Sequence, residues 1–241
     1  LFLHLNTSKR SIQLDHTNPL GLEILQSLVA DADVLLEDNA PEISKRLGIR
    51  HQDLEASNPN LVVTSVTPFG QTGPHSGHKA YPLNTFHSGG EGYLTPLGNP
   101  LSVDGLLDRP PTKQGRFVGE YEIGMLAAIP TLAAVFHSRA GGGGQQVDLS
   151  KQEALIGLNY LEMAFWLIGG PVPTRTTRMM DIGGIMACKD GFVEFCLHEE
   201  HQWKGLVKML GDPPWADEEW AQAPATRVQH SDEINAHLRK W

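Results

Sequence analysis

The first third of the chain alternates between strand-like and helix-like patterns of apolar residues. Apolar and polar side chains alternate over Ser11 to Leu14, which predicts a short strand. Asn18 and Pro19 mark the start of a helix, since leucines follow them at helical spacing. The next segments predict a buried strand over 33–36, a short helix over 42–47 and a β-branched strand over 61–66. Strands and helices in alternation indicate a parallel sheet covered by helices.

The pattern is irregular over residues 69–116, which are rich in Gly, Pro, Thr and His. Long irregular segments inside compact domains commonly carry function. Apolar periodicity then predicts helices over 122–138, 151–168 and 200–210, with strands over 146–149 and 191–197. The last of these strands alternates as members of antiparallel pairs do, so the final third indicates a small α+β region.

Composition narrows the function classes. The 241 residues carry a formal net charge of −9, which argues against nucleic-acid binding because phosphates require a concentrated basic face. Two cysteines are too few for a disulfide-stapled secreted protein and fit a reducing cytosol. No run approaches the roughly 18 apolar residues that span a bilayer, so no membrane partner is expected. The chain starts at Leu1 in patterned sequence and stops at Trp241 without a helix stop signal, so both ends are expected to be cuts.

Four segments occur in an order and spacing typical of one enzyme family. They are residues 47–62 (Leu-Gly, Asp-Leu, Asn-Pro and Leu-Val pairs), 65–74 (ending in FGQTGP), 143–150 (GGQQVDLS) and 190–193 (DGFV, followed by Trp203 and 227–238). Together they make the chain resemble the family III CoA-transferases, also called the CaiB and BaiF family. The Lys-Ala-Tyr segment at 79–81 resembles the formyl-CoA transferase branch in particular.

The resemblance implies an α/β fold with two parts. A Rossmann-like parallel sheet would form the large domain, residues 1–170, and residues 171–241 would form a smaller α+β domain. The implied assembly is a cytoplasmic homodimer of interlocked chains. The implied activity moves a CoA thioester between carboxylic acids, so the expected partners are acyl-CoA and carboxylates, and coenzyme A is a substrate.

Coenzyme A carries phosphates and a long pantetheine arm, so its site needs cations and an apolar channel. By resemblance, the expected CoA-binding residues are Lys9, Arg10, Asp38, Arg46 and Lys79. Asp38 and Asn39 stand where the family usually has Asn and Phe. A carboxylate added beside an anionic ligand weakens binding unless a cation compensates it. Each of the cations could alternatively be a solvated surface charge.

The family's nucleophile is an Asp four residues before a Gly, and Gly124 places Glu120 at that position. Such a carboxylate attacks the thioester carbonyl, and nearby donors stabilise the oxyanion that develops. The extra methylene of Glu shifts the carboxylate by somewhat more than about 1 Å, and such a shift can cost about 100-fold in rate. Three interpretations stay open: Glu120 is the nucleophile, the remnant of a degenerate site, or a misaligned loop residue. Glu122 is a rival for the nucleophile.

Three further residues belong to the predicted site. Tyr81 is expected at the active-site entrance, as the second catalytic residue beside Glu120. Gly183 and Gly184 are expected to form the active-site loop, because the formyl-CoA transferase branch closes a glycine loop over its nucleophile. The eleven histidines and two cysteines show no metal-ligand spacing, so no metal is expected.

Two other functions compete with CoA transfer. Related α-methylacyl-CoA racemases use a His and an Asp, and Tyr81 and Glu120 stand at those positions. Tyrosine is a poor base at neutral pH because its pKa is about 10. The second competitor is a non-catalytic CoA-binding or dimer-scaffold domain, since Asp38, Asn39 and Glu120 all depart from the family pattern.

Overall fold

A three-stranded parallel sheet organises the first part of the protein. The computed structural model describes residues 1–95, 110–112, 115–170, 172–174 and 180–241. Strands β1 (Val34–Glu37), β2 (Val62–Thr67) and β3 (Gln145–Ser150) lie in the order β1-β2-β3. Both pairings are parallel, with Val34 opposite Val62 and Val62 opposite Gln145. The mixed α/β class with a parallel sheet, predicted from the alternation of strands and helices, is confirmed.

The α-helices of the described residues differ widely in length. In chain order they are α1 (Phe2–Leu5), α2 (Pro19–Ala30), α3 (Pro41–Leu47), α4 (His51–Leu54), α5 (Pro82–Ser88), α6 (Glu91–Leu94), α7 (Val118–His137), α8 (Lys151–Leu158), α9 (Tyr160–Leu167), α10 (Glu200–Met209), α11 (Pro224–Arg227) and α12 (Ser231–Lys240). A second sheet, β4 (Gly184–Cys188) and β5 (Gly191–Phe195), is an antiparallel hairpin.

The chain divides into two compact units by its internal packing. The first comprises Leu1–Gly89 and Gly115–Leu158, and the second comprises Gly90–Gln114 and Asn159–Trp241. The domain ranges predicted from the sequence, with a boundary at residue 170, concern a longer fold and stay a prediction.

Strand β2 is the centre of the first unit. Val62, Val63 and Thr64 are fully buried, because the middle strand of a parallel sheet is covered on both faces. An apolar cluster on one side joins β2 to α2 and the α3–α4 region through Val29, Ile49, Leu54, Leu61 and Val63. The Asn58 amide donates hydrogen bonds to the carbonyls of Val29 and Ala32, which fixes the end of α2 beside the start of β2.

Helix α7 packs on this sheet through small and branched residues. Ile123, Ala127 and Ala134 are buried along one side of the helix. The Thr131 hydroxyl donates to the Ala127 carbonyl and lies 2.8 Å from the hydroxyl of buried Thr64. This pair of threonines joins α7 to β2 directly after Pro130, which lacks the N–H that a helix interior normally uses.

Length and apolar composition would let Val118–Gly142 cross a bilayer, and 22% of its most apolar window is buried. Ile123, Ala127 and Ala134 of this helix are buried, whereas Met125, Ile129, Leu132 and Phe136 are exposed. The expectation of no membrane partner stays a prediction.

The second unit is built around tryptophans. Its core contains Met186, Trp203, Leu206, Trp215, Ala221, Ile234 and Leu238. Buried Arg227 lies 4.4 Å from the Trp203 ring centroid and donates two hydrogen bonds, of 2.7 and 2.8 Å, to the Glu200 carboxylate. Those bonds lower the pKa of Glu200 below its ordinary value. The arginine therefore ties α11 to the start of α10.

Three element predictions are wrong. Residues 11–14 form no strand: Ile12 is 63% exposed, and no strand among the described residues pairs with this segment. The helix predicted over 151–168 is two helices, interrupted at Asn159, where the compact units also meet along the chain. Helix α7 begins at Val118, not at Glu122, so its first turn contains Glu120.

Candidate active site

Close approaches of glycine bring three helices of the first unit together. A Cβ on Gly119, in α7, would lie 3.1 Å from the Phe86 ring of α5. A Cβ on Gly89, which ends α5, would overlap the Cβ of buried Leu155 in α8. Helices α5, α7 and α8 therefore pack at distances that larger residues would prevent.

Helix α8 starts directly where β3 ends. The Ser150 hydroxyl accepts a hydrogen bond from the Glu153 N–H, as an N-cap residue does, and the Gln152 N–H donates to the Pro68 carbonyl. These two bonds fix the first turn of α8 at the carboxyl end of the parallel sheet. Lys151, the first residue of the helix, is thereby directed to that edge.

Glu120 and Lys151 form an ion pair between the first turns of α7 and α8. The Lys151 Nζ donates to Glu120 Oε2 at 2.8 Å. The side chains are 20% and 27% exposed for Lys151 and Glu120, so the pair is shielded but can still be reached from solvent. Among the described residues, no hydrogen bond is made to Oε1, the other carboxylate oxygen of Glu120.

A cavity of about 580 Å³ lies beside this pair. It is lined by Val34, Leu36, Glu37, Asp38, Val66, Glu120, Ile123, Gly124, Ala127, Ala128, Thr131, Leu132 and Lys151. Residues of β1 and β2 form one wall, and α7 from Glu120 to Leu132 forms the other. Most of the lining is apolar, and the charged groups all lie near the carboxyl ends of the strands, where ligands bind in open α/β sheets.

Glu37 supplies the most buried carboxylate of the cavity wall, with 8% of its surface exposed. Its Oε2 accepts hydrogen bonds from the Asn39 N–H, the Asn39 amide and the Ser44 hydroxyl. Its Oε1 is buried and has no hydrogen-bond partner in the described part of the chain. Glu37 therefore fixes the turn that presents Asp38 to the cavity.

Glu122 has a different environment from Glu120. Burial raises the pKa of the Glu122 carboxyl above its ordinary value. One of its oxygens is buried without a partner among the residues described, and its side chain does not line the cavity. Of the two candidate nucleophiles, only Glu120 faces the cavity with a cation beside it.

The structure brings together some of the predicted site residues and not others. Asp38 and Glu120 line the same cavity. The remaining residues predicted for the first unit do not line it: Lys9, Arg10, Arg46, Lys79 and Tyr81. All five are exposed, and Tyr81 is 73% exposed where it precedes α5. Their assignment to CoA binding and catalysis stays a prediction.

The predicted glycine loop lies in the second unit and is held by one side chain. Gly183 N–H donates to the Oδ1 of fully buried Asn235 at 2.8 Å, and the Asn235 amide donates to the Asp181 carbonyl at 2.8 Å. Gly183 and Gly184 have φ of +90° and +77°, values that favour glycine. A Cβ on Gly183 would also approach the Phe195 carbonyl oxygen to 2.5 Å. The assignment of Gly183 and Gly184 to an active-site loop stays a prediction.

Lys151 is the site residue that sequence reasoning missed. The helix start was predicted at that residue, but no role was assigned to its side chain. The available signal was the Ser150-x-x-Glu153 pattern, which favours a capped helix beginning at a strand end. That pattern places Lys151 at the carboxyl edge of the sheet, where the structure also places Glu120.

Within the described ranges, no three His, Cys, Asp or Glu side chains are grouped as a metal site requires. Cys188 and Cys196 are both exposed and unpaired.

Two of the motifs that carry the family resemblance meet at the edge of the sheet. The backbone N–H of Gln71, in the FGQTGP segment, lies 3.0 and 3.1 Å from the two Asp148 carboxylate oxygens. Gly70 has φ of +83° and lies against Asp148 and Ser150. The loop therefore folds onto β3 next to the start of α8, which bears Lys151.

This fold and these motifs are typical of a family of CoA-transferring enzymes. Residues 1–241 match the family model for CoA-transferase family III, and the chain belongs to that family. The formyl-CoA:oxalate CoA-transferase of Afipia carboxidovorans is 27% identical over 266 aligned residues, which cover 100% of this chain and 60% of that protein. The enzyme of the same name from Shigella sonnei is also 27% identical, and 62% of its length is covered.

Solved structures agree with this assignment. A CAIB/BAIF family protein from Brucella suis superposes with a TM-score of 0.75 at 27% identity, covering 96% of this chain and 60% of that one. Rv3272 from M. tuberculosis, at 21% identity and a TM-score of 0.76, shares the fold. The chain thus spans about 60% of the length of the relatives it matches.

Proposed function

We propose that this chain is part of an enzyme that transfers coenzyme A between carboxylic acids, with Glu120 as its nucleophile. The observation that carries the proposal is the position of the Glu120 carboxylate, in the first turn of α7 and on the wall of a largely apolar cavity. The family to which the chain belongs, and the relatives whose names state CoA transfer from formyl-CoA to oxalate, support the same class of reaction.

The proposed reaction begins with attack by a Glu120 carboxylate oxygen on the thioester carbonyl carbon of the donor. The carbon–sulfur bond breaks, CoA leaves as a thiolate, and a mixed anhydride remains on Glu120. The thiolate then attacks the Glu120 side of the anhydride, which releases the donor acid as a carboxylate and leaves CoA on Glu120 as a thioester. The acceptor carboxylate repeats these two steps in reverse, so that Glu120 ends as a free carboxylate.

The electrostatics of the cavity suit this chemistry. The amino-terminal end of a 20-residue helix carries a partial positive charge, which favours a carboxylate in its first turn. N–H groups at the start of a helix also favour an oxyanion formed close by. The apolar part of the lining suits an acyl chain or the pantetheine arm.

Coenzyme A binding is proposed to use the exposed cations Lys9, Arg10, Arg46 and Lys79. Phosphate groups need such cations, and exposed side chains can reach a ligand that lies over the surface. Asp38 faces the cavity and adds a negative charge near the ligand, so CoA binding is expected to depend on these cations more strongly. A cytoplasmic homodimer, implied by the family resemblance, stays a prediction.

Trapping of the acyl-enzyme tests the proposal. The complete protein is incubated with acyl-CoA and hydroxylamine, which converts an activated glutamyl group to a hydroxamate, and digested peptides are analysed by mass spectrometry. The expected result is a hydroxamate on Glu120 that depends on acyl-CoA and is absent from Glu120→Gln. The Glu122→Gln variant is the matched control and should be modified at Glu120 like the wild type.

Other results of this experiment would support a different function or a different nucleophile. CoA binding without any trapped glutamate would overturn the transferase proposal and favour the scaffold interpretation. A hydroxamate on Glu122 would assign the nucleophile to that residue. A racemase gains no support from the site, because Tyr81 does not line the cavity that contains Glu120.

A further inference from the structure

Lys151 contacts only one of the two carboxylate oxygens of Glu120, an arrangement that suits nucleophilic attack by the other. Lys151 Nζ binds Oε2 at 2.8 Å, and Oε1 has no partner among the described residues. One oxygen is thus held and the other is free to reach a carbonyl carbon. We infer that Lys151 is a positioning residue that fixes the Glu120 carboxylate with Oε1 presented to the thioester; this inference rests on the proposed function.

The location of Lys151 argues that the contact is more than a surface ion pair. Lys151 is the first residue of α8, and a cation there opposes the partial positive charge at the helix start. Its side chain is only 20% exposed, so the ammonium group is also partly removed from water. A partly desolvated cation at a helix start requires an anion nearby, and Glu120 is that anion.

The ion pair also bears on the glutamate that replaces the family's aspartate. A longer side chain has one more rotatable bond and loses more conformational freedom when it is held in one geometry. An ammonium group at 2.8 Å restricts that freedom before substrate binds. The Ser150 cap and the Gln152 bond to Pro68 fix the backbone of Lys151, so the lysine is held from its own side as well.

No proton is transferred in the proposed reaction, so Lys151 acts through its charge alone. When Glu120 becomes an anhydride, it is no longer negative, and the CoA thiolate released beside it carries the negative charge. When Glu120 becomes a thioester, the released donor carboxylate carries that charge. The positive charge is thus next to a negative group in each state. This predicts that a cation at position 151 affects the rate of acyl-enzyme formation more than the binding of CoA.

Three variants of the complete protein test the inference. Lys151→Met removes the charge and keeps a similar length, and Lys151→Arg keeps the charge. Arg139→Met is the control, because it removes an exposed ion pair, with Asp33 at 3.3 Å, from the same compact unit. The measurements are the rate of hydroxamate formation on Glu120, the dissociation constant for CoA, and thermal unfolding.

We expect Lys151→Met to slow labelling of Glu120 by about 100-fold, the scale of an ångström-sized misplacement. The dissociation constant for CoA should change less than about threefold, because the substitution affects the position of the reacting Glu120 carboxylate and not the contacts to the CoA phosphates. Lys151→Arg should recover at least about tenfold of the lost rate, while Arg139→Met should be labelled like the wild type.

Two contrary results are distinguishable. If wild-type Glu120 is labelled and Lys151→Met is labelled equally fast, the positioning role is overturned while the transferase proposal stands. If wild-type Glu120 is never labelled, both fail. A variant that is slow only because it is unfolded would show a lowered melting temperature. In that case the rates of hydroxamate formation of Lys151→Arg and Lys151→Met are compared at a temperature where both variants are folded. Equal rates there would overturn the positioning role.

Discussion

The ammonium group of Lys151 lies 2.8 Å from the carboxylate of Glu120, although the two residues are 31 positions apart in sequence. The long helix α7 and strand β3 run between them, and the contact forms because α7 and α8 begin at the same edge of the sheet. A carboxylate that the sequence offered as a nucleophile is therefore held by a partner that only the folded chain supplies.

Shortening the nucleophile should reduce activity, even though it restores the family's residue. In Glu120→Asp the carboxylate retracts by about one carbon–carbon bond and loses its contact with Lys151. We expect hydroxamate labelling at residue 120 to fall by about 100-fold. Mass spectrometry of the labelled peptide measures this. An Asp variant that is labelled faster than the wild type would show instead that the glutamate marks a decayed site.

The close packing of α5 against α8 predicts an effect of adding one methyl group. The Cβ of Gly89→Ala would overlap the Cβ of Leu155, so α5 and α8 must move apart. We expect the free energy of unfolding to fall by about 1–3 kcal/mol in chemical denaturation.

Gly157→Ala is the matched control for this substitution. Gly157 lies in α8, and among the described residues no atom outside its own stretch of helix lies within 4 Å of its Cβ position. Alanine also favours helices more than glycine does. Its free energy of unfolding should rise by about 0.5–1 kcal/mol. Equal effects of the two alanines would contradict the packing described for Gly89.

Asn235 should be essential for the stability of the second unit. Asn235→Ala removes both hydrogen bonds that hold Gly183 and Asp181, and it leaves the buried Gly183 N–H without a partner. We expect the free energy of unfolding to fall by about 2 kcal/mol or more. Gln222→Ala removes one exposed hydrogen bond of the same unit, to the Ala216 carbonyl, and should change it by less than about 0.5 kcal/mol.

The raised pKa of Glu122 predicts a pH-dependent stability. Burial raises this pKa, so between the unfolded and the folded pKa values Glu122 binds more proton in the folded protein than in the unfolded chain. The carboxyl therefore lowers stability as the pH rises from the unfolded value, about 4.3, through the raised folded value.

Glu122→Gln removes that titration. The variant should gain stability relative to the wild type as the pH rises above about 4.3, and the difference should vanish at lower pH. Unfolding free energies measured from pH 3 to pH 7 test this. A constant difference over that range would show that Glu122 is not desolvated in the folded protein.

Much of the fold follows from local patterns in the sequence. β-Branched residues predicted β2, in which every residue except half-buried Val66 is buried. The Asn18–Pro19 start of α2 was predicted because the Asn18 side chain caps its own helix. Strand β4 was missed, since Gly184–Cys188 becomes a strand through its pairing with β5. The strand predicted over residues 11–14 is wrong for the same reason. Apolar and polar residues alternate there as in a strand, but a strand requires a pairing partner.

For the site, the sequence by itself determined the family and offered Glu120 and Glu122 as candidate nucleophiles. Those features depend on short motifs whose residues are neighbours in the chain. Only the tertiary structure decided that Glu120 rather than Glu122 faces the cavity, and that Lys151 holds it. The direction of a side chain depends on how α7 and α8 pack through Gly119, Gly89 and Leu155, and that packing joins segments far apart in the sequence.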